Sequence, residues 1–179
     1  MKQSKPIRQA EFDKLFGSAA SDREWELCKI YALLFFGGFR VSEVLQFAPA
    51  QILEAVKSGV ITAYISKQNI TREIPLSPNG QALLSALLPR SADMLHFVRK
   101  INVDYLTNKV NAHIKAVLGD GYTSHGFRRG LVTDLLSGDS SDVAVKEVAG
   151  IMGYKSQKTV AIYIEVMPEQ KRLRMERVR

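Results

Sequence analysis

The sequence predicts a mainly α-helical domain of the α+β type, with one small antiparallel β-hairpin. Three observations lead there. Apolar residues recur at helical spacing in a succession of segments bounded by Gly, Pro or small polar residues. A single stretch, 60–76, changes to β-branched and aromatic residues at strand spacing. Hydrophobic residues make up 46 % of the 179 and charged residues 24 %, enough apolar material for a core and too little charge for a disordered chain.

The elements follow in order. Ile7 to Phe16 has apolar residues at Ile7, Phe12, Leu15 and Phe16 and suits a short amphipathic helix. Gly17 to Ser21 reads as a small-residue loop, with Asp22 as the N-cap of the next helix. That helix, about Arg23 to Phe36, is apolar almost all round, as a buried central helix must be. Gly37-Gly38 stops it. Val41–Phe47 and Pro49–Lys57 are two more helices, the second closed by Ser58-Gly59. Val60–Ser66 and Glu73–Leu76 are strands joined by Lys67–Arg72. Pro78–Leu88 is helical up to Pro89, and Met94–Val98 reads either way. Asn102–Leu118 carries Leu106, Val110, Ile114 and Val117 on one stripe and ends at Gly119 and Gly121. His125–Leu136, Ser141–Met152 and Ser156–Val166 are helices, and Pro168 opens a last one to about Val178. There is no repeat, no low-complexity segment and no interdomain linker, so 1–179 reads as a single domain with a core over 7–166 and a basic tail over 167–179.

Charge narrows the function. Lys and Arg outnumber Asp and Glu by 25 to 18, a net of +7. Residues 168–179 contribute +3 and the body keeps +4, so the excess is not confined to the tail. An anionic partner follows, nucleic acid or an acidic surface. The single cysteine, Cys28, excludes an intramolecular disulfide and sits in an apolar helix as a core thiol. The N-terminal residues have no apolar signal-peptide core, and the longest apolar run, Ile30–Phe39, is too short to span a bilayer. A cytoplasmic protein with no membrane partner is expected.

Several enzyme signatures are absent: a Gly-rich phosphate loop, a nucleophile elbow, a His/Cys metal cluster and an acidic cluster. No cofactor and no metal site are expected. His125-Gly126-Phe127-Arg128 does stand out. Residues three apart share a helix face, so His125 and Arg128 address one target, with Arg129 turned about 100° away. A proton-moving imidazole beside a bidentate guanidinium suits a phosphate. Taken alone, the pair also fits a basic helix surface.

Four boxes in order carry a resemblance. They are Gly38-Phe39-Arg40-Val41-Ser42-Glu43, the hairpin segment Ile65 to Leu76 with Lys67 and Arg72, His125-x-x-Arg128, and Met152-Gly153-Tyr154 followed by Thr159 to Tyr163. Tyr163 follows Tyr154 by nine positions. Each box is loose, but together and in this order they resemble the catalytic domain of tyrosine recombinases, the phage integrase family, over about Ile7 to Val166.

The resemblance implies a site-specific DNA recombinase of tyrosine-recombinase architecture, bacterial, archaeal or phage-encoded. Such an enzyme cuts and rejoins double-stranded DNA through a 3′-phosphotyrosine, leaving a free 5′-hydroxyl, without ATP or metal. It implies six catalytic residues. Arg40 and Arg128 hold charge on the non-bridging oxygens. Lys67 protonates the leaving oxygen, and His125 accepts a proton or donates to the phosphate. Tyr154 donates from its phenol, and Tyr163 is the nucleophile. Glu43 supports Arg40. Arg72 and Arg129 are candidates for DNA-backbone contact, and Arg72 equally reads as structural. Outside this resemblance Tyr163 reads as a helix-interface aromatic and Lys67 as a solvated turn residue.

Tyr154 departs from the pattern, since the family usually has His there. It cannot be cationic, so some transition-state stabilisation is at risk. The separate N-terminal core-binding domain usual in the family is not expected within 1–179. The resemblance also implies a monomer alone, a tetramer on paired DNA sites, and a C-terminal segment that docks on a neighbouring protomer. The competing readings are a type IB topoisomerase-like enzyme that relaxes supercoils, a catalytically weak DNA-binding relative, and a basic RNA-binding module without the usual aromatic platform.

Overall fold

The computed structural model describes residues 4–65, 70–88, 102–137 and 142–154. The expected helices at 156–166 and 168–178, the segment 94–98, Lys67 and Tyr163 lie outside these described residues. Eight helices and two strands are described: α1 Gln9–Ser21, α2 Trp25–Gly37, α3 Val41–Val44, α4 Pro49–Ser58, β1 Val60–Ile65, β2 Ile70–Pro75, α5 Pro78–Leu87, α6 Val103–Leu118, α7 His125–Leu135 and α8 Asp142–Met152. The architecture is mainly α with one antiparallel hairpin, as the sequence predicts.

Helix α2 is the centre. Leu27, Cys28, Ile30, Tyr31, Leu33 and Leu34 are all buried, and α1, α3, α5 and α7 pack around it. Phe12 of α1 stacks on Phe35 of α2 with centroids 4.2 Å apart, and Tyr31 stacks on Phe127 of α7 at 5.6 Å. The stripe on α6 is as read: Leu106, Val110 and Ile114 are fully buried, and Val117 packs against the core from a half-buried position. A second, smaller apolar cluster joins α7 to α8 through Val132, Leu136, Val148 and Met152.

Four expectations change. Gly17–Ser21 is not a loop but the last turns of α1, because Ala19 buries there and Ser21 Oγ bonds the Gly17 carbonyl. Asp22 is therefore the C-cap of α1, not the N-cap of α2, and Arg23 makes the turn with φ 58°. Ile7 is not helical; it lies extended and fully buried ahead of α1. Helix α3 stops at Val44 rather than Phe47, since Gln46 and Phe47 N–H groups bond carbonyls three residues back and tighten the turn.

Strand β2 is longer than expected and ends at Pro75, one residue before the expected Leu76. Strand β2 begins at Ile70, and the ladder pairs Ile65 with Ile70, Ala63 with Arg72 and Ile61 with Ile74. Polar Thr71 and Arg72 conceal the strand in the sequence. On the inward face Arg72 alternates with Ile74 and lies opposite Ala63, whose small side chain leaves it room.

Candidate active site

The site is built where α2 ends, α3 and α7 begin, and α8 ends. Gly38 caps α2 in the left-handed region at φ 58°, a conformation that favours glycine. A Cβ there would lie 2.7 Å from Leu131 of α7 and 2.9 Å from Met152 of α8, so glycine also permits the three elements to meet. The backbone then becomes extended at Arg40, which starts α3, and Glu43 reaches back to accept the Arg40 N–H at 3.0 Å.

Glu43 is the electrostatic hub. Its carboxylate is 5 % exposed and accepts from Arg40 Nη1 at 2.7 Å and from Arg72 Nη2 at 3.0 Å. Arg128 Nη1 lies 3.9 Å away. One buried carboxylate thus serves three guanidiniums, and the cluster keeps a formal excess of two positive charges. Arg72 also donates to the Ile151 carbonyl at 3.3 Å and lies 5.1 Å over the Phe39 ring. Burial pulls its pKa down to about 10; Arg128 beside it acts the same way and Glu43 opposes.

Arg128 is 4 % exposed and tied on three sides. Nη1 donates to the Gly38 carbonyl at 2.9 Å, Nη2 donates to the Met152 carbonyl, and Nε donates to the Tyr154 hydroxyl at 3.0 Å. Its guanidinium also stands 4.7 Å over the Tyr154 ring. Tyr154 is brought there by Gly153, whose φ of 64° turns the chain at the end of α8.

An open cavity of about 130 Å³ lies over these groups, lined by Arg40, Ser42, Thr107, Ser124, His125 and Arg128 among others. His125 is exposed and Arg128 buried, so the two line one cavity at different depths. The start of α7 is fixed by Asn111, whose side chain accepts the Ser124 N–H at 2.8 Å. Partial burial holds the His125 imidazole below its usual pKa, and Arg40 and Arg128 add to the effect. Arg129 is half-buried beside Arg128 and is not in the cavity lining.

The described residues therefore bring together Arg40, His125, Arg128, Tyr154 and Glu43. Arg72 lies with them, 4 % exposed and paired with Glu43, the burial expected of a structural arginine. The sequence reading missed the Gly38 and Met152 carbonyls as acceptors for Arg128, Phe39 as a platform for Arg72, and Asn111. Main-chain acceptors leave no side-chain signature; only the left-handed glycine had a signal.

The sequence pattern of the phage integrase family matches residues 5–170. The chain belongs to the phage integrase family. The fold is similar to that of XerA recombinase, 17 % identical, with a TM-score of 0.77 over 99 % of this chain and 66 % of that one. It is also similar to XerH site-specific recombinase bound to palindromic difH substrate, at 18 % identity and TM-score 0.69 over 94 % of this chain and 52 % of that one. A lambda integrase dimer bound to a COC' core site gives 17 % and 0.65 over 91 % of this chain and 48 % of that one. At these identities the likeness is one of fold, that of the tyrosine recombinase catalytic domain. The chain spans between about half and two-thirds of the length of those structures. No curated protein matches it in sequence. Among the described residues no helix is long and apolar enough to cross a membrane.

Proposed function

We propose that this chain is the strand-cutting and rejoining unit of a site-specific DNA recombinase, with a phosphodiester held between Arg40, His125 and Arg128. The observation that carries the reading is the cavity itself. An imidazole and two guanidiniums line one open cavity, over a single buried carboxylate, in a chain of the phage integrase family.

The chemistry follows from charge. A phosphodiester gains negative charge on its non-bridging oxygens as a nucleophile adds, and preorganised cations stabilise that state more than the ground state. Arg128 is preorganised by three acceptors and Arg40 by Glu43. Three of the five N–H donors of Arg128 are engaged by Gly38, Met152 and Tyr154, which leaves one on each terminal nitrogen for phosphate oxygens. The Tyr154 hydroxyl accepts from Arg128 Nε and so helps to aim its guanidinium. His125, whose cation is disfavoured by partial burial and then by Arg40 and Arg128, can accept the proton of the attacking phenol.

In the proposed reaction the Tyr163 oxygen bonds to phosphorus and the bond to the 5′-oxygen breaks. Lys67 protonates that oxygen. The phosphotyrosine conserves the ester, so reversal by a 5′-hydroxyl reseals DNA without ATP. The same reading takes double-stranded DNA as partner, with a monomer alone, a tetramer on paired sites, and the tail 167–179 docking on a neighbour. Light scattering without and with paired sites checks the assembly.

The deciding experiment is covalent trapping on nicked duplexes of randomised sequence, run beside Tyr163→Phe. A denaturation-resistant adduct that vanishes in the variant supports the proposal. DNA binding without any adduct overturns it in favour of a DNA-binding relative.

A further inference from the structure

An extended segment ahead of α1 is bound along the back of α7. The Lys5 N–H donates to the Gly121 carbonyl at 2.8 Å, and the Ile7 N–H donates to the Gly126 carbonyl at 2.8 Å. Ser4 Oγ accepts the Thr123 N–H at 3.0 Å. At the far end Arg8 Nε meets Asp134 Oδ1 at 2.8 Å. Ile7 itself is fully buried, although no helix or strand holds it.

Two glycines make the approach possible. A Cβ on Gly126 would lie 2.5 Å from the Lys5 carbonyl oxygen, and one on Gly130 would lie 1.9 Å from that of Ile7. Both clashes are with backbone, so no rotamer change relieves them. Gly126, Gly130 and Asp134 are spaced by four and form one face of α7. Neither glycine sits at a positive φ, so the need is for space and not for an unusual backbone. Glycine inside a helix costs about 1 kcal/mol against alanine, so two of them at the contact face need a packing reason, and the segment supplies it.

The opposite face of α7 carries the site. At 100° per residue, Arg128 lies about 160° round the helix from Gly130, and about 60° from His125. Helix α7 is therefore held between the segment behind it and the Gly38, Met152 and Tyr154 acceptors in front.

We propose that Ser4–Arg8 is a strap that positions α7, with Gly126 and Gly130 as positioning residues that set the depth of Arg128 and His125 in the cavity. This rests on the proposed recombinase reading for its effect on cleavage, but not for its effect on Arg128. A strap displaced outward lets α7 shift away from its front acceptors. Displacements on the order of an ångström in such a site cost far more in rate than in binding.

The test compares the full chain with Gly130→Ala, with Arg8→Glu, and with two control glycines, Gly17→Ala and Gly150→Ala, whose added Cβ would meet nothing within 4 Å. Arg8→Glu sets like charges across the exposed end of the strap without touching the core. Two quantities are read: the nitrogen–proton resonance of Arg128 Nε, and single-turnover cleavage beside duplex affinity. Gly130→Ala should move the Arg128 resonance and slow cleavage at least about ten-fold while affinity stays within about two-fold. Arg8→Glu should move the resonance in the same direction by less, and the controls should change neither quantity. An unmoved Arg128 resonance in a folded Gly130→Ala overturns the strap; if that variant fails to fold, an unmoved resonance in Arg8→Glu does so. A moved resonance in a protein that never cleaves leaves the strap standing and removes the recombinase reading instead.

Discussion

Glu43 and Arg72 meet at 3.0 Å with both side chains about 95 % buried, exposures being 5 % and 4 %. The pair joins the hairpin to α3, and through the Ile151 carbonyl it also joins both to the end of α8. Arg40 and Arg128 share the same carboxylate. Removing it leaves buried positive charge without compensation. Glu43→Ala is expected to cost about 3–5 kcal/mol of stability, measured by urea unfolding. A cost under about 1 kcal/mol, the range of a surface pair, would mean that Glu43 is not the hub.

Arg72→Lys keeps the charge and loses the fork. An ammonium cannot donate to Glu43 and Ile151 while lying flat over Phe39. Stability should fall by about 1–3 kcal/mol, the scale of a buried acceptor left unpaired. Nonspecific DNA affinity and its salt dependence should not change, because Arg72 does not reach solvent. In Arg72→Gln, which removes the charge, a flatter dependence of log affinity on log salt would instead make it a phosphate contact.

His125 should titrate below the usual 6.5 in the free protein, because burial and then Arg40 and Arg128 disfavour its cation. Between its folded pKa and 6.5 the unfolded chain binds more protons than the folded one. The contribution of His125 to stability is thus complete above 6.5 and is lost as pH falls through the folded value. Arg40→Ala should raise the pKa in an NMR titration, and a bound phosphodiester should raise it further. A value above 6.5 in the free protein would contradict this arrangement of charges.

Tyr154→Phe keeps the ring under Arg128 and removes the acceptor of its Nε–H. The expected loss is about 1–3 kcal/mol from the unpaired donor, read in urea. The trapped adduct should form more slowly by a larger factor than binding weakens. Equal losses in rate and affinity would make Tyr154 a binding residue only.

Much of this arrangement is legible in the sequence where the signal is local. The stripe Leu106, Val110, Ile114 fixes the buried face of α6, and the spacing of His125 and Arg128 puts both on one cavity. Gly17–Ser21 misleads because small residues suit a loop and a packed helical turn alike; burial of Ala19 decides between them. Arg72 reads as structural or as a backbone contact from the sequence, and its partner could not be named, because Glu43 lies twenty-nine positions earlier.

By itself the sequence determined most of the described helices, the hairpin among the described residues, the basic balance and the ordered boxes of the phage integrase pattern. These depend on period, composition and spacing, which are properties of neighbours along the chain. The tertiary structure alone decided that one carboxylate serves three arginines. It also decided that Arg128 is aimed by two carbonyls and a phenol, and that Ser4–Arg8 lies across Gly126 and Gly130. These contacts join residues far apart in sequence, some through backbone atoms that every residue type shares, so no pattern of side chains along the chain can encode them.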